Sequence, residues 1–328
     1  MTRGISCHRR GMSLVELLVV VAILGLLAVT VLPTIASTTE SRRTREAARV
    51  TSSFIASAQT RALGRRDWSG FRVVRMGSGN VALDLTLVDV PPPYRGDVVP
   101  TEVQFPQPMA GMTTVTGTIA SGSISAAVAG ATPAGTPVRF GGRDPWYSVT
   151  RVTSSLIEFA PRTTVGQDAT NTPWPPASQP LAFEIATTPV PYGLAVTLGE
   201  GRVIDITWSG YVAPGTGSYM PFAAGDVTVL YDGTGRPRRV VHVGGTTDTP
   251  GAVFFLVGRA DRAGQPNPAT FQPTDDTTGC NWQYSDSVWV MINPATGTVH
   301  QAACDPSATT ETASQSFVRA YLSAGGGS

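Results

Sequence analysis

The sequence predicts an α+β protein: a long N-terminal helix, transmembrane in its first half and amphipathic in its second, packed on an antiparallel β-rich body. Three observations carry this. The sixteen residues from Leu17 to Leu32 contain no charge. Between Pro33 and Gly64 neither glycine nor proline interrupts a polar, helix-forming stretch. Beyond residue 66 the pattern changes to short β-rich runs separated by Gly, Pro, Asn and Asp.

Composition narrows the classes. With 41% hydrophobic and 14% charged residues, the 328-residue chain is too apolar for disorder and long enough for one large or two ordinary domains. Its 35 glycines and 26 prolines, without a G-X-Y period, exclude collagen and an all-helical bundle. The net charge of +1 argues against a generally basic nucleic-acid binder. That charge is nevertheless segregated. Residues 1–11 carry Arg3, Arg9 and Arg10 and no acid, and 12–34 hold only Glu16. Over 35–66 seven arginines face Glu40 and Glu46, giving +5, while fourteen arginines against twenty acids give −6 over 67–328. These four stretches are the expected organisation: a leader, a transmembrane segment, an amphipathic stalk and a globular body.

Extended back to Met12, the apolar helix has 21 residues and spans about 31 Å, enough to cross a bilayer. A cleaved secretory signal, cut near Ala36-Ser37, is the alternative. Glu16 argues against it. A carboxylate serves no purpose in such a signal and costs roughly 2 to 3 kcal/mol as it moves deeper into lipid. An acid placed there requires a partner.

The local sequence Gly11-Met12-Ser13-Leu14-Val15-Glu16-Leu17-Leu18, preceded by Arg9-Arg10, resembles the class III leader of type IV pilins and type II secretion pseudopilins. The resemblance implies a pilin-like fold. It also implies that prepilin peptidase, a membrane aspartyl protease, cuts between Gly11 and Met12 on the cytoplasmic side and methylates the new amine of Met12. The 1–11 leader leaves and the apolar helix stays. Gly25 and Pro33 resemble the helix-loosening glycine and proline that this family carries. The implied partners are the peptidase, other pilin or pseudopilin subunits, an inner-membrane assembly platform and membrane lipid. The implied location is a single pass of the inner membrane, with the body periplasmic or extracellular until the chain enters a filament.

Physical chemistry gives the motif a reason. Cleavage after Gly11 creates a positive amine one helical turn from Glu16, and each charge needs the other in an apolar medium. Pairing between neighbouring subunits compensates both only when a new subunit docks in the correct axial register. Methylation keeps the positive charge, so the pairing survives it.

In the stalk, Ser37-Thr38-Thr39-Glu40 reads as a capping box. Ala47, Val50, Phe54, Ala58 and Ala62 fall within about 120° of a helical wheel, with Arg42, Arg45 and Arg49 opposite. Arg43 and Arg61 lie inside the apolar stripe, where only their stems are expected to bury. Gly64 is expected to end the helix, and Pro33 to kink or locally melt it.

The body reads as antiparallel β over 81–88, 148–159, 181–185, 202–208, 226–230, 240–243, 253–257 and 287–292. Alternation is clearest in Val288, Val290 and Ile292 against Trp289 and Met291. One hairpin turns at Asp232-Gly233-Thr234-Gly235 and another at Asn293-Pro294-Ala295-Thr296-Gly297. Over 226–304 this pattern is similar to that of secretion-pathway H-type minor pseudopilins. The uncharged stretch 111–137 and the Pro-, Thr- and Asn-dense 168–179 read as long loops or insertions.

Cys7 leaves with the leader, so Cys280 and Cys304 remain in an exported body, where a disulfide is expected; free thiols and metal binding are the alternatives. Asp232, Asp275 and Asp276 fit turn capping better than calcium binding. Arg236, Arg238 and Arg239 at a hairpin tip read as a solvated loop before a phosphate site. No P-loop, G-x-S-x-G or C-x-x-C is present, and His242 and His300 form no metal-binding spacing. The expectation is a structural subunit, a minor pilin or pseudopilin of a type IV pilus or type II secretion filament, with neither cofactor nor catalysis. A DNA-uptake or adhesion pilin and a signal-anchored exported enzyme are the alternatives.

Overall fold

A computed structural model describes residues 14–77, 80–107, 112–161, 174–199, 201–222, 225–243, 245–265 and 279–324. Helix α1, Leu14–Arg65, is continuous through Gly25, Pro33 and the expected capping box. It ends one residue later than expected. Arg66, with φ 53°, takes the left-handed position that Gly64 was expected to supply.

Two strands follow, β1 (Ser69–Arg75) and β2 (Val81–Asp89). Six more strands close a barrel in the order β3-β4-β7-β6-β5-β8: β3 (Glu102–Gln104), β4 (Val115–Ser121), β5 (Pro137–Phe140), β6 (Arg143–Val152), β7 (Leu156–Pro161) and β8 (Leu181–Ile185). The short helix α2, Ala126–Ala131, precedes β5. The chain then returns to the first sheet with β9 (Val190–Thr197), β10 (Arg202–Val212), β11 (Tyr219–Pro221), β12 (Val227–Tyr231), β13 (Pro237–His242), β14 (Gly245–Asp248), β15 (Val253–Arg259), β16 (Val288–Ile292) and β17 (Val299–Ala303). Helices α3 (Glu311–Ser314) and α4 (Ser316–Ala324) complete it. The eleven-stranded sheet runs β14-β13-β12-β1-β2-β10-β15-β16-β17, with β9 added on β2 and β11 on β10.

The expected fold is overturned on two counts. The body is not one β-layer of pilin type under a helix: it holds a large sheet and a separate closed barrel with its own core. Among the described residues, moreover, no helix is long and apolar enough to cross a membrane. The stretch 111–137, expected to be loop, contains β4 and α2; a barrel wall of Thr, Gly and Ser carries few of the apolar residues that announce a strand.

The barrel is an insertion. Asp89 at the end of β2 pairs with Val190 at the start of β9, and Val88 with Pro191, so the chain leaves and re-enters the sheet at adjacent rungs. Its interior is filled by rings: Phe159 lies 4.7 Å from Phe140, 5.0 Å from Tyr147 and 5.7 Å from Phe105. A Cβ on Gly117 would sit 2.6 Å from the Phe105 ring, so β4 needs glycine there. Against the sheet, the guanidinium groups of Arg139 and Arg239 lie 4.8 and 6.0 Å from the centre of the Trp146 ring, and Arg239 also covers Trp68.

The main sheet is buried on both faces at β15 and β16, which explains their unbroken apolar runs. Val253, Phe255, Val257, Val288, Val290 and Ile292 face α1. Phe254, Leu256, Trp289 and Met291 face the other way, under Cys280, Trp282, Cys304 and Val318. The alternation read from β16 thus separates two cores rather than core from solvent.

Candidate assembly site on the N-terminal helix

Helix α1 has a part anchored to the sheet and, over residues 14–27, an exposed stretch. In the anchored part the buried positions are Thr44, Ala47, Ala48, Thr51, Ile55, Ala58 and Ala62, with Val50 and Phe54 half-buried. The stripe is therefore rotated slightly from the expected one. Thr44 and Thr51 can be buried because their hydroxyls donate to the carbonyls of Glu40 and Ala47 one turn back.

Polar clasps fix this part to the sheet. Buried Arg202, at the start of β10, donates to the Glu40 carbonyl at 3.2 Å and to the Glu40 carboxylate. That hydrogen bond, against the opposing cost of desolvation, holds the Glu40 carboxyl below its ordinary range. Arg61 donates twice to Asp89, at 2.9 and 2.7 Å, Arg65 donates once at 2.7 Å, and the Arg61 guanidinium covers the Tyr192 ring at 4.0 Å. Hydrogen bonding from Arg61 accordingly lowers the Asp89 pKa. More of Arg61 than its stem is engaged, because Asp89 brings a counter-charge to the helix.

Both hairpin tips read from the sequence converge on the last turns of α1. Gln59 Nε2 donates to the carbonyls of Gly235 and Thr296, at 3.1 and 2.8 Å. A Cβ on Gly297 would lie 1.9 Å from the Gly235 oxygen and 2.6 Å from Gln59 Nε2, and one on Gly233 would lie 2.6 Å from the Arg66 backbone. These turns carry glycine because the helix and the two tips touch backbone to backbone.

The exposed stretch is different. Leu14, Val15, Leu17, Leu18, Val19, Val20, Val21, Ile23, Leu24, Leu26 and Leu27 are all exposed, between 40% and 79%, on every side of the helix. Glu16 stands exposed in the first turn among them. Gly25 has no atom of the rest of the molecule within 4 Å of where a Cβ would sit. Gly11 and Met12 lie outside the described residues. Arg42, Arg45 and Arg49 are exposed on the outer side, Arg49 chelating Glu46 at 2.7 and 2.9 Å.

The remaining sequence candidates have structural surroundings. The expected disulfide is corrected: Cys280 and Cys304 are both free and buried in one apolar cluster. Burial pushes the Cys280 thiol up to about 12 and the Cys304 thiol higher still. Asp232 accepts from the backbone N–H groups of Thr234 and Arg236 and from Arg238, which caps the turn. Arg239 pairs with Asp248. His242 is half-buried, its pKa lowered by that burial, and His300 stacks on Tyr321. Asp275 and Asp276 lie outside the described residues, among which no cluster of three or more metal-binding side chains occurs.

One polar site was missed by sequence reasoning. Asp205 of β10 is fully buried, and its carboxylate accepts from Asn281 Nδ2 at 3.0 Å and from the Gly264 N–H at 3.4 Å. Burial pushes its pKa up to about 6, against these hydrogen bonds. An Asp within an apolar run of a strand, Val203-Ile204-Asp205-Ile206, was the available signal.

An exposed apolar helix of this kind marks a surface for contact with protein or membrane. Residues 7–32 match the prokaryotic N-terminal methylation motif, and this motif supports a type IV pilin-like exported subunit. Neither a curated protein nor a solved structure matches the chain.

Proposed function

We propose that the chain is a minor pilin or pseudopilin, a structural and non-enzymatic subunit of a type IV pilus or type II secretion filament. Prepilin peptidase cuts between Gly11 and Met12 and methylates Met12, and an inner-membrane platform assembles the subunit. The observation that carries this is the exposed stretch of α1: eleven exposed large apolar side chains with Glu16 in the first turn, inside the methylation motif. Before assembly, inner-membrane lipid keeps these turns from water. In the filament, neighbouring helices do so, and Glu16 pairs with the Met12 amine of an adjoining subunit.

Mass spectrometry of the mature amino terminus tests this. A methylated Met12 is expected; a mature chain beginning near Ser37 would refute it. Glu16→Ala is expected to be processed normally and to fail in filament incorporation, whereas Gly11→Leu is expected to remain full length.

The inserted barrel favours a second role on the same scaffold. The chain leaves and re-enters the main sheet at adjacent rungs around the barrel, and this supports a displayed module of the kind a ligand-binding DNA-uptake or adhesion pilin uses.

A further inference from the structure

From Leu17 to Thr39 the sequence carries no charge, and Arg42, Arg43, Arg45 and Arg49 then follow within eight residues. All four are exposed on a helix that runs unbroken from Leu14 to Arg65. Their charges are unequally answered. Arg49 takes both oxygens of Glu46, at 2.9 and 2.7 Å, while Arg43 shares the Glu40 carboxylate with Arg202 and donates to it at 3.1 Å. Arg42 and Arg45 have no ion pair among the described residues.

Between α1 and the turn from β9 to β10 lies a groove with a volume of about 380 Å³. Buried Ala47 and Leu198 give it an apolar lining; Arg42 and Arg43 border it from the helix and Gly199 from the turn. Glu46 lines it too, with its charge already met by Arg49. Counted with their partners, Arg42, Arg43, Arg49 and Arg202 stand against Glu40 and Glu46, so two positive charges at the groove go unanswered within the molecule. Guanidinium groups bind phosphate oxygens in a planar fork, and the apolar lining accepts carbon beside them.

We propose that this groove receives the headgroup of an anionic phospholipid, with the phosphate on Arg42 and Arg43 and the headgroup carbons over Ala47 and Leu198. The proposal rests on the lipid-held subunit described above. Height names the occupant. With Glu16 at one edge of the hydrocarbon, about twenty residues rising 1.5 Å each carry the helix across about 30 Å, to residue 36. Arg42 comes about 9 Å later, and side chains on a helix lean toward its amino terminus, so this guanidinium reaches back into the headgroup layer. Negative lipid attracts the arginines there, whereas the ammonium of a zwitterionic headgroup opposes them. A lipid held in the groove fixes the height and rotation of the body over the bilayer before assembly.

Native mass spectrometry of the full mature chain, released from neutral maltoside micelles holding equal phosphatidylglycerol and phosphatidylcholine, tests the groove. Retained phosphatidylglycerol is expected to exceed phosphatidylcholine about tenfold. Arg42→Gln is expected to cut that preference about fivefold, and Arg45→Gln, the same loss of charge on the same helix but outside the groove, at most about twofold. Gly199→Phe keeps every charge and has open space at its Cβ, so it fills the groove within an intact fold and is expected to lower the preference about fivefold. All three positions are exposed, and thermal melting is expected to stay at the wild-type value. Glycerol phosphate in excess is expected to leave the lipid in place, because it lacks the acyl chains that run beside α1. Equal retention of the two lipids, equal losses in Arg42→Gln and Arg45→Gln, an unaltered Gly199→Phe, or displacement by glycerol phosphate would overturn the proposal. Failure of the filament role is separately visible, as a mature amino terminus other than methylated Met12.

Discussion

Asp205 makes the stability of the body depend on pH in a direction opposite to that of most carboxylates. Its ordinary pKa of 3.8 is pushed up to about 6 in the folded protein because burial disfavours the charged form. A raised folded pKa contributes stability that is complete below about pH 3.8 and lost as pH climbs through 6. Two units correspond to roughly 3 kcal/mol, present as a penalty at pH 8. Asp205→Asn removes the titration. The new Oδ1 can accept from Asn281 and Gly264 in place of the carboxylate oxygen. The variant is expected to gain about 2 kcal/mol at pH 8 and nothing at pH 4. Urea unfolding from pH 4 to pH 8, followed by the fluorescence of Trp208 and Trp282, reads this directly. Parallel pH profiles for the two proteins, or a variant less stable at pH 8, would refute a raised Asp205 pKa.

Gly297→Ala is expected to cost about 2 to 4 kcal/mol, because its Cβ overlaps the Gly235 carbonyl and the Gln59 amide; calorimetry of the variant checks it. Replacing residues 90–189 by Asn-Gly is expected to join β2 to β9 as a tight hairpin and leave a cooperatively folding sheet, and circular dichroism during melting would show loss of cooperativity if the barrel were integral. Thiol titration of the mature chain at pH 8 is expected to find Cys280 and Cys304 unreactive when folded and both reactive in urea, whereas no thiol in urea would establish a disulfide.

What the sequence made legible was local. The amphipathic part of α1, its arginine face, the β16 alternation and both glycine-bearing hairpin tips depend on residues within a few positions of one another. Pairing between distant strands does not. Glu102 of β3 meets Ala182 of β8 across eighty residues, and nothing in either short run specifies the other. Strand β9, with a proline and a glycine in eight residues, reads as a turn until β2 supplies its ladder. The site divides in the same way. Glu16 and the cleavage motif are contiguous and readable, whereas the Arg202 clasp on Glu40 joins residues 162 positions apart.

Magnitudes separate two tasks within the exposed stretch of α1. Burying its eleven exposed side chains is worth on the order of 15 to 30 kcal/mol, more than the whole stability of an ordinary domain. That gain keeps the segment out of water, but lipid tails are as apolar as neighbouring leucines and supply it equally well. Under the proposed function, hydrophobicity alone therefore gives no reason to exchange lipid for a filament, and no preferred register along turns that are apolar all round. A single carboxylate does both under the proposed function. Unpaired in lipid it costs several kcal/mol, and it recovers them only where a neighbour's amine stands at the matching height. Leu18→Ala is accordingly expected to leave assembly nearly intact, while Glu16→Ala, a change of similar size, abolishes it; equal defects in pulldown of assembled filaments would show that packing rather than charge sets the register.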